Sequence, residues 1–340
     1  MNPFAQIAVT DPSGVGAAKR RARAVTRGLE FDDVVRGNLD VIVTELASNM
    51  VKHAPGGTIL LDTTPRRGVP GVDVLALDRG PGMKDLAGSM RDGYSTAGSL
   101  GTGLGAVRRL SSSFDAYAPV GSGTAVFCRV SGGHPGAFPL LRLPLTVGAV
   151  RVPAPGEERC GDTWAAREDA DEALVMVADG LGHGPQAADA AEAAAAMVLA
   201  GRSRDPAAHV AAVDGALRGT RGAAVAVADI VPAAGRTRLA GLGNISVRLG
   251  ARGSLHGLAT KAGTAGMGLH TARTSVHDWP ADGMLVMHSD GLTSHWDLDD
   301  YPGLWRRHPT LVAGVLARDF TRGRDDVCVL VATSLSEAWQ

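Results

Sequence analysis

The chain has 340 residues, 45 % of them apolar, which is enough for two hydrophobic cores. Its 34 Lys plus Arg nearly cancel 35 Asp plus Glu, leaving no electrostatic footprint for nucleic acid or an anionic membrane and pointing to protein or small-molecule partners. Three dispersed cysteines, Cys128, Cys160 and Cys328, form no CxxC pair, which argues against a disulfide framework or a thiolate zinc site and for a cytoplasmic protein.

At the N-terminus the basic cluster comes after the short apolar run, the reverse of a secretory signal. The most apolar helical stretch, residues 187–201, is interrupted by Asp189 and Glu192 and is too short to span a bilayer. Residues 4–10 alternate as a strand, Asp11 can cap a helix, and 14–29 read as a basic helix ending near Gly28. Residues 33–54 form a second helix, stopped by "PGG" at 55–57. On it Glu45, Asn49, Lys52 and His53 fall within one arc, opposite Val43, Leu46, Ala47 and Met50. By itself such a stripe is a solvated face.

Two strands come next, "TILLDTTP" and "GVDVLALD", then a Gly-rich irregular region, a helix at about 103–112, and the strands "FDAYAP" and "TAVFCRV". Asp78 ends a strand and is succeeded by Gly80 and Gly82, so its carboxylate can accept from an exocyclic amine while the glycines let the backbone approach a flat ring. Gly98, Gly101, Gly103 and Gly105 precede or open a helix, where free N–H groups suit a phosphate. Gly101, Gly103 and Ala106 also fit a dinucleotide fingerprint, but the required flanking strand and downstream acidic residue are missing.

ExxxN, then DxGxG, then GxGxG within about 60 residues resembles the GHKL ATP-binding fold. More narrowly, "TELASNMVKHA", "DRGPGM" and "GSLGTGLGAVRRL" look like the serine kinases that serve as anti-sigma factors or switch kinases in bacterial stress signalling. The likeness implies that Asn49 holds Mg²⁺ against the phosphates of ATP, Asp78 binds the adenine amine, and the segment Gly101, Thr102, Gly103, Leu104, Gly105 wraps the phosphates. It also implies that Glu45 is the general base. Thr124 matches a strand threonine near the adenine, although a threonine in a strand needs no function. His53 shares the arc and can approach phosphate, or can be a solvated neighbour, as can Lys52. A sensor histidine kinase is a poor match, since the roughly 30 residues before the key helix contain no histidine.

The segment "SGGHPGAFP" (131–139) carries no period and reads as a linker, dividing the chain into residues 1–132, a linker at 133–143, and 144–340. Beyond it lie seven short β-type runs, from "TVGAVRV" to "DVCVLVAT", with helical blocks at about 184–201 and 206–219 between the second and third. That arrangement suggests a sheet sandwich with helices outside. The expected fold class is therefore α+β in two domains.

Four acidic positions share a setting at strand ends: Asp162 in "CGDTW", Asp179 in "VMVADGLGHG", Asp290 in "LVMHSDGL", and Asp325 with Asp326 in "RDDVCVLV". A single "DG" is a turn. Several carboxylates on one sheet edge make sense if cations neutralise them, and oxygen ligands suit Mg²⁺ or Mn²⁺. The ordered set resembles the type 2C metal-dependent protein phosphatases, in particular the short bacterial branch of sporulation and stress-response phosphatases, over about residues 144–335 in an αββα sandwich.

That likeness implies Asp179 as the bridging metal ligand, with the Gly180 carbonyl, Asp162, Asp290 and Asp325 completing two Mn²⁺ or Mg²⁺ shells around a water that attacks a phosphoserine or phosphothreonine. Asp325 is favoured over Asp326 by position. His183 can serve as an acid or be a loop residue before the helix. Taken together, the resemblances imply a switch regulator carrying a kinase and a phosphatase that act on STAS-type antagonist proteins, with a sigma factor or stressosome-like assembly as further partners. The alternative is a phosphatase whose first domain only binds ATP or sequesters a partner.

Overall fold

The computed structural model describes residues 4–63, 69–90, 103–132, 145–169, 171–268 and 272–334. They fall into two compact units, each an α+β sandwich. Residues 133–143, read above as a linker, lie outside the described residues.

The first unit runs β1 (Phe4–Val9), α1 (Pro12–Val25), α2 (Asp33–His53), β2 (Gly57–Asp62), β3 (Gly71–Asp78), α3 (Leu86–Ser89), α4 (Gly103–Leu110), β4 (Ser113–Tyr117) and β5 (Ala125–Ser131). The strands form one antiparallel sheet in the order β1-β2-β3-β5-β4. Leu39, Ile42, Val43, Leu46, Ala47 and Met50 are spaced at three and four along α2, and all are buried against the sheet with Ile59, Leu61, Val74 and Val126. The apolar side of the helix is thereby used up, and Glu45 and Asn49 are left half-buried on the helix's other side. Asp32 caps α2 by accepting from the Val35 N–H at 2.8 Å, and Gly56 with φ +114 closes it.

Two helix ends differ from expectation. The first helix starts two residues earlier, on Pro12 behind the Asp11 cap, and stops at Val25, where the Thr26 hydroxyl bonds back to the Ala22 carbonyl at 3.1 Å. The helix expected over 103–112 ends at Leu110, because the Ser112 hydroxyl is taken by the Arg129 carbonyl at 2.9 Å.

Strand β3 is buried throughout except at its last residue. Within it Asp73 lies opposite Arg129 of β5, and the guanidinium Nη1 donates to the carboxylate at 2.7 Å with both side chains less than 10 % exposed. Removing Asp73 takes a carboxylate partner from a buried guanidinium. Asp73→Ala is therefore expected to destabilise this unit by about 3–5 kcal/mol, read as a fall in its urea or thermal midpoint.

The second unit runs β6 (Thr146–Val152), β7 (Asp162–Glu168), β8 (Ala173–Gly180), α5 (Pro185–Ala200), α6 (Pro206–Ala216), β9 (Ala223–Val231), β10 (Arg236–Leu242), β11 (Ser246–Gly250), β12 (His256–Leu258), β13 (Ser275–Asp278), β14 (Met284–His288), α7 (Pro309–Phe320) and β15 (Val327–Thr333). Two antiparallel sheets, β13-β10-β9-β8-β7 and β12-β11-β14-β15-β6, share one core that includes Val175, Val177, Ala226, Leu285, Met287 and Leu330. Helices α5 and α6 cover the outer face of the first sheet through Ala191, Ala194, Val210 and Val213. Helix α7 covers the second, with every residue from Pro309 to Ala317 buried. This is the αββα layering expected.

Candidate functional site

The polar side of α2 opens on a pocket of about 380 Å³ in the first unit. Its lining brings together Glu45, Asn49, Lys52 and His53 of α2, Asp78 at the end of β3, Thr124 before β5, and Gly103 and Leu104 at the start of α4. Segments far apart in the sequence thus meet in one hole. Asp78 is held from its own chain and from the neighbouring strand: Oδ1 accepts the Gly80 N–H at 2.7 Å and the Thr124 N–H at 3.1 Å, while the Asp78 N–H donates to the Thr124 carbonyl at 2.9 Å. These bonds fix the plane of the carboxylate.

The glycines divide by role. Gly82 lines the pocket, yet its glycine requirement comes from behind: φ is +70, and a Cβ would stand 2.1 Å from the Pro119 carbonyl oxygen. Gly80 is not on the lining, and its missing side chain makes room for Ala54 and the His53 carbonyl. Both therefore seat the loop against its neighbours, and of the two only Gly82 also stands on the pocket. Gly105 is buried within α4 and also stays off the lining, whereas Gly103 and Leu104 stand on it. Gly101 and Thr102 lie outside the described residues. Lys84, Asp85 and Ser89 also line the pocket, unheralded in the sequence because they belong to no recognisable spacing.

In the second unit, Asp162 and Asp179 are direct partners across β7 and β8. Asp162 is 2 % exposed and its Oδ2 has no hydrogen-bond partner. Burial, then the facing Asp179 carboxylate, push the Asp162 carboxyl well above the usual range. Burial, then the charges of Asp290, Asp325 and Asp326, push Asp179 up to about 7. Carboxylates concentrated this way repel one another unless protons or cations intervene. The orphaned buried Oδ2 and the raised carboxyls fit a divalent ion bound by oxygen. Among the described residues no three acidic, imidazole or thiol groups stand close enough to enclose one ion by themselves, so backbone carbonyls and water have to complete any shell.

The carbonyl-bearing residue is Gly180, where a Cβ would come 2.1 Å from the Ala187 carbonyl oxygen and its N–H donates to the Gly161 carbonyl at 3.1 Å. Only glycine lets α5 approach the end of β8 this closely. Asp326 is the inward member of its pair: 3 % exposed, its Oδ1 accepts the Ala154 N–H at 2.8 Å, and Gly161 leaves space for Oδ2. Asp325 is half-exposed and accepts the Asp326 N–H at 2.9 Å. Asp326 thus ties the loop after β6, and Asp325 is the one on the open side. His183 is exposed and pairs through Nδ1 with Glu157 at 2.7 Å.

Three supporting residues had no sequence signal. Asn244 donates from Nδ2 to Asp290 Oδ2 at 2.7 Å. Ser289 accepts the Cys328 N–H on its hydroxyl at 2.9 Å, and that hydroxyl partly offsets the upward push on Asp162. His288, held near pKa 4 mainly by burial, takes the Trp296 indole N–H on Nε2 at 3.3 Å and bonds the Ser289 carbonyl through Nδ1 at 2.8 Å. That makes it neutral with the proton on Nδ1. Because partners of this kind orient carboxylates, Asn244→Ala is expected to raise the Mn²⁺ concentration needed for half-maximal thermal stabilisation by about 10- to 100-fold.

Comparison with known proteins agrees with this division. Residues 8–129 match the histidine kinase-like ATPase domain, and residues 169–334 match Stage II sporulation protein E (SpoIIE). The serine/threonine-protein kinase RsbT of Bacillus subtilis (strain 168) is 33 % identical over 126 residues, which is 37 % of this chain and 95 % of that protein. A chain solved in work on the bacterial stressosome as a modular system adapted to control secondary messenger signaling is 27 % identical, with TM-score 0.51 over 55 % of this chain and 98 % of that one. RsbX in complex with magnesium is 19 % identical, with TM-score 0.47 over 56 % and 94 %. Through its first domain the chain belongs to the RsbT family of serine/threonine-protein kinases, and it joins to that domain a SpoIIE-type protein phosphatase domain of the type 2C fold.

Proposed function

We propose that this chain is a two-activity switch on one class of phosphoprotein, with residues 1–132 as kinase, 144–340 as phosphatase and 133–143 joining them. The observation that carries the kinase half is the convergence of Glu45, Asn49, Asp78 and Thr124 on one pocket. Asp78, its plane fixed by two N–H donors, accepts the exocyclic amine of adenine beside Thr124. Asn49 offers its side-chain oxygen to Mg²⁺ near the phosphates, with Gly101, Thr102, Gly103, Leu104, Gly105 and His53 on the anionic side. Glu45, one helical turn before Asn49, takes the proton from the acceptor serine or threonine hydroxyl as its oxygen bonds the γ-phosphorus and the bond to ADP breaks.

In the phosphatase half, Asp162, Asp179, Asp290, Asp325 and the Gly180 carbonyl hold two Mn²⁺ or Mg²⁺ ions. Bound there, the ions supply Lewis acidity and a water nucleophilic at neutral pH. The residues' own part is to replace mutual repulsion by a fixed anionic cradle, steadied by Asn244 and Ser289. By likeness to the stress-signalling relatives, the substrate is a STAS-domain antagonist protein in the cytoplasm, within a sigma-factor or stressosome-like circuit. Opposed activities in one chain consume ATP without result unless a partner selects one, so control by binding is part of the reading. The test is transfer of labelled γ-phosphate from ATP to STAS proteins encoded nearby, and then its Mn²⁺-dependent release. Transfer to none of them removes the kinase half, and retention of the label after transfer removes the phosphatase half.

A further inference from the structure

Beyond the acidic rows of the second unit, β8 runs on into a loop that stays paired with the chain entering β9. Asp179 lies opposite Ala224 and Gly180 opposite Ala223. One step further the Leu181 N–H donates to the Gly222 carbonyl at 3.1 Å. At the next step the Arg221 guanidinium covers the loop: Gly182 has φ +84, and a Cβ on it would stand 3.0 Å from Arg221 Nη1. On the far side of β9, Ala223 and Ala265 exchange N–H···O bonds at 3.1 and 2.9 Å. That pins the segment 264–267, whose Gly266 N–H donates to the buried Asp214 carboxylate at 2.8 Å. It also sets the Met267 methyl 3.6 Å from the place a Gly222 Cβ would take. Three segments thus form a ledge of Leu181, Arg221 and Met267 next to Gly180, with all three side chains exposed. Arg159, Arg204, Arg238 and Arg318 of this unit are held by carboxylates, whereas among the described residues none holds Arg221.

The chain itself measures how far this cation lies from the cradle. Gly182 is two residues past Gly180, so their Cα atoms are no more than about 7 Å apart. The guanidinium rests on Gly182 directly. An extended substrate has the same spacing, since residues two apart project to one side about 7 Å from each other. A segment with its phosphoserine over the cradle therefore brings the side chain two positions away to Arg221. A carboxylate there gains an ion pair, and Leu181 and Met267 cover its methylenes and reduce the water around the charges. A lysine at the same position meets like charge.

We propose that Leu181, Arg221 and Met267 form a recognition ledge of the phosphatase domain, on which Arg221 holds an acidic side chain of the phosphoprotein substrate two residues from the phosphoserine. The proposal rests on the phosphatase reading above. It assigns a substrate class, phosphoserine segments with an acid at the second position, and makes Arg221 a specificity residue outside the chemistry.

The test uses the full chain and two pairs of labelled phosphoserine peptides, each pair differing only in Glu or Lys at the second position before, or the second after, the phosphoserine. In EDTA, fluorescence anisotropy is expected to show the Glu peptide of one pair bound about three- to tenfold more tightly, as one ion pair set against one repulsion at an exposed site allows. With Mn²⁺, the same ratio is expected in kcat/KM, through KM. Arg221→Glu should invert the preference, which also shows that the variant is folded, and Arg221→Gln should abolish it. Arg236→Glu, exposed at the opposite end of the sheet on β10, should leave it unchanged. Equal binding within both pairs, a preference that survives Arg221→Glu, or the same inversion in Arg236→Glu overturns the ledge. So does an equal loss for Glu and Lys peptides in Arg221→Gln, which would put the guanidinium on the phosphate instead of the flank. If no peptide is hydrolysed, the phosphatase reading fails, and the anisotropy ratio still decides the ledge.

Discussion

Asp179→Ala is expected to lower Mn²⁺-dependent hydrolysis of phosphoserine peptides by more than about 100-fold, exceeding the 10- to 100-fold typical of losing only a partner of a metal ligand, while phosphoryl transfer by the first domain is retained. The reason lies in the electrostatics of the cradle. In the metal-free protein, burial and the neighbouring carboxylates raise Asp179 from 3.8 to about 7, and burial with Asp179 raises Asp162 well above the usual range. Between about pH 4 and 7 the folded chain holds protons that the unfolded chain has released, so the stability of the metal-free protein falls as pH rises through that window. Divalent ions take the place of those protons. Added Mn²⁺ is thus expected to raise the melting temperature more at pH 8 than at pH 5, and Asp162→Asn to raise it at pH 8 in EDTA while removing most of the response to Mn²⁺. A metal-free protein equally stable at pH 5 and pH 8, or peptide hydrolysis surviving Asp179→Ala, would overturn the assignment of this cradle.

How far the sequence discloses these features depends on the range of the interactions that create them. Helix α2 is legible because its period, its Asp32 cap and the Pro55–Gly56 stop are local, and the same period separates Glu45 and Asn49 from the buried Leu46 and Met50. The strands of the second unit are legible because β8, β9 and β15 are short apolar runs buried on both faces. Strand β7 gives no such signal, since "DTWAARE" is only half apolar, and its identity depends on pairing with β8. Helix α7 is hidden for a different reason: the apolar run in "PTLVAGVLARDF" is buried without a break from Pro309 to Ala317 and reads as a buried strand as readily as a helix. The acidic positions can be collected by their common place at strand ends, but not their division of labour. That Asp326 turns inward to the Ala154 N–H while Asp325 stays on the open side is set by the 172-residue closure between β6 and β15. Likewise the requirement for Gly82 comes from the Pro119 carbonyl behind it, a contact with no local trace.

Glu45→Gln is expected to lower transfer of the γ-phosphoryl group to a protein acceptor by about 10²- to 10⁴-fold, the range a positioned general base contributes, while ATP affinity changes by less than about threefold. Glu45 and Asn49 are one helical turn apart and line the same pocket, yet their tasks separate cleanly in substitution. A carboxamide at position 45 keeps the size and hydrogen-bonding reach of the carboxylate but cannot accept the hydroxyl proton. Asn49→Ala should instead weaken Mg²⁺-ATP binding itself, and Asp78→Asn should do so more selectively against ATP than GTP, because replacing an acceptor-only carboxylate alters the partner for an exocyclic amine. All three belong to the first unit, so Mn²⁺-dependent phosphatase activity toward small substrates should persist in all. Isothermal titration with Mg²⁺-ATP, run beside the transfer assay, separates the outcomes. Intact binding with lost transfer in Glu45→Gln identifies a kinase. Transfer that survives this change removes Glu45 from the chemistry.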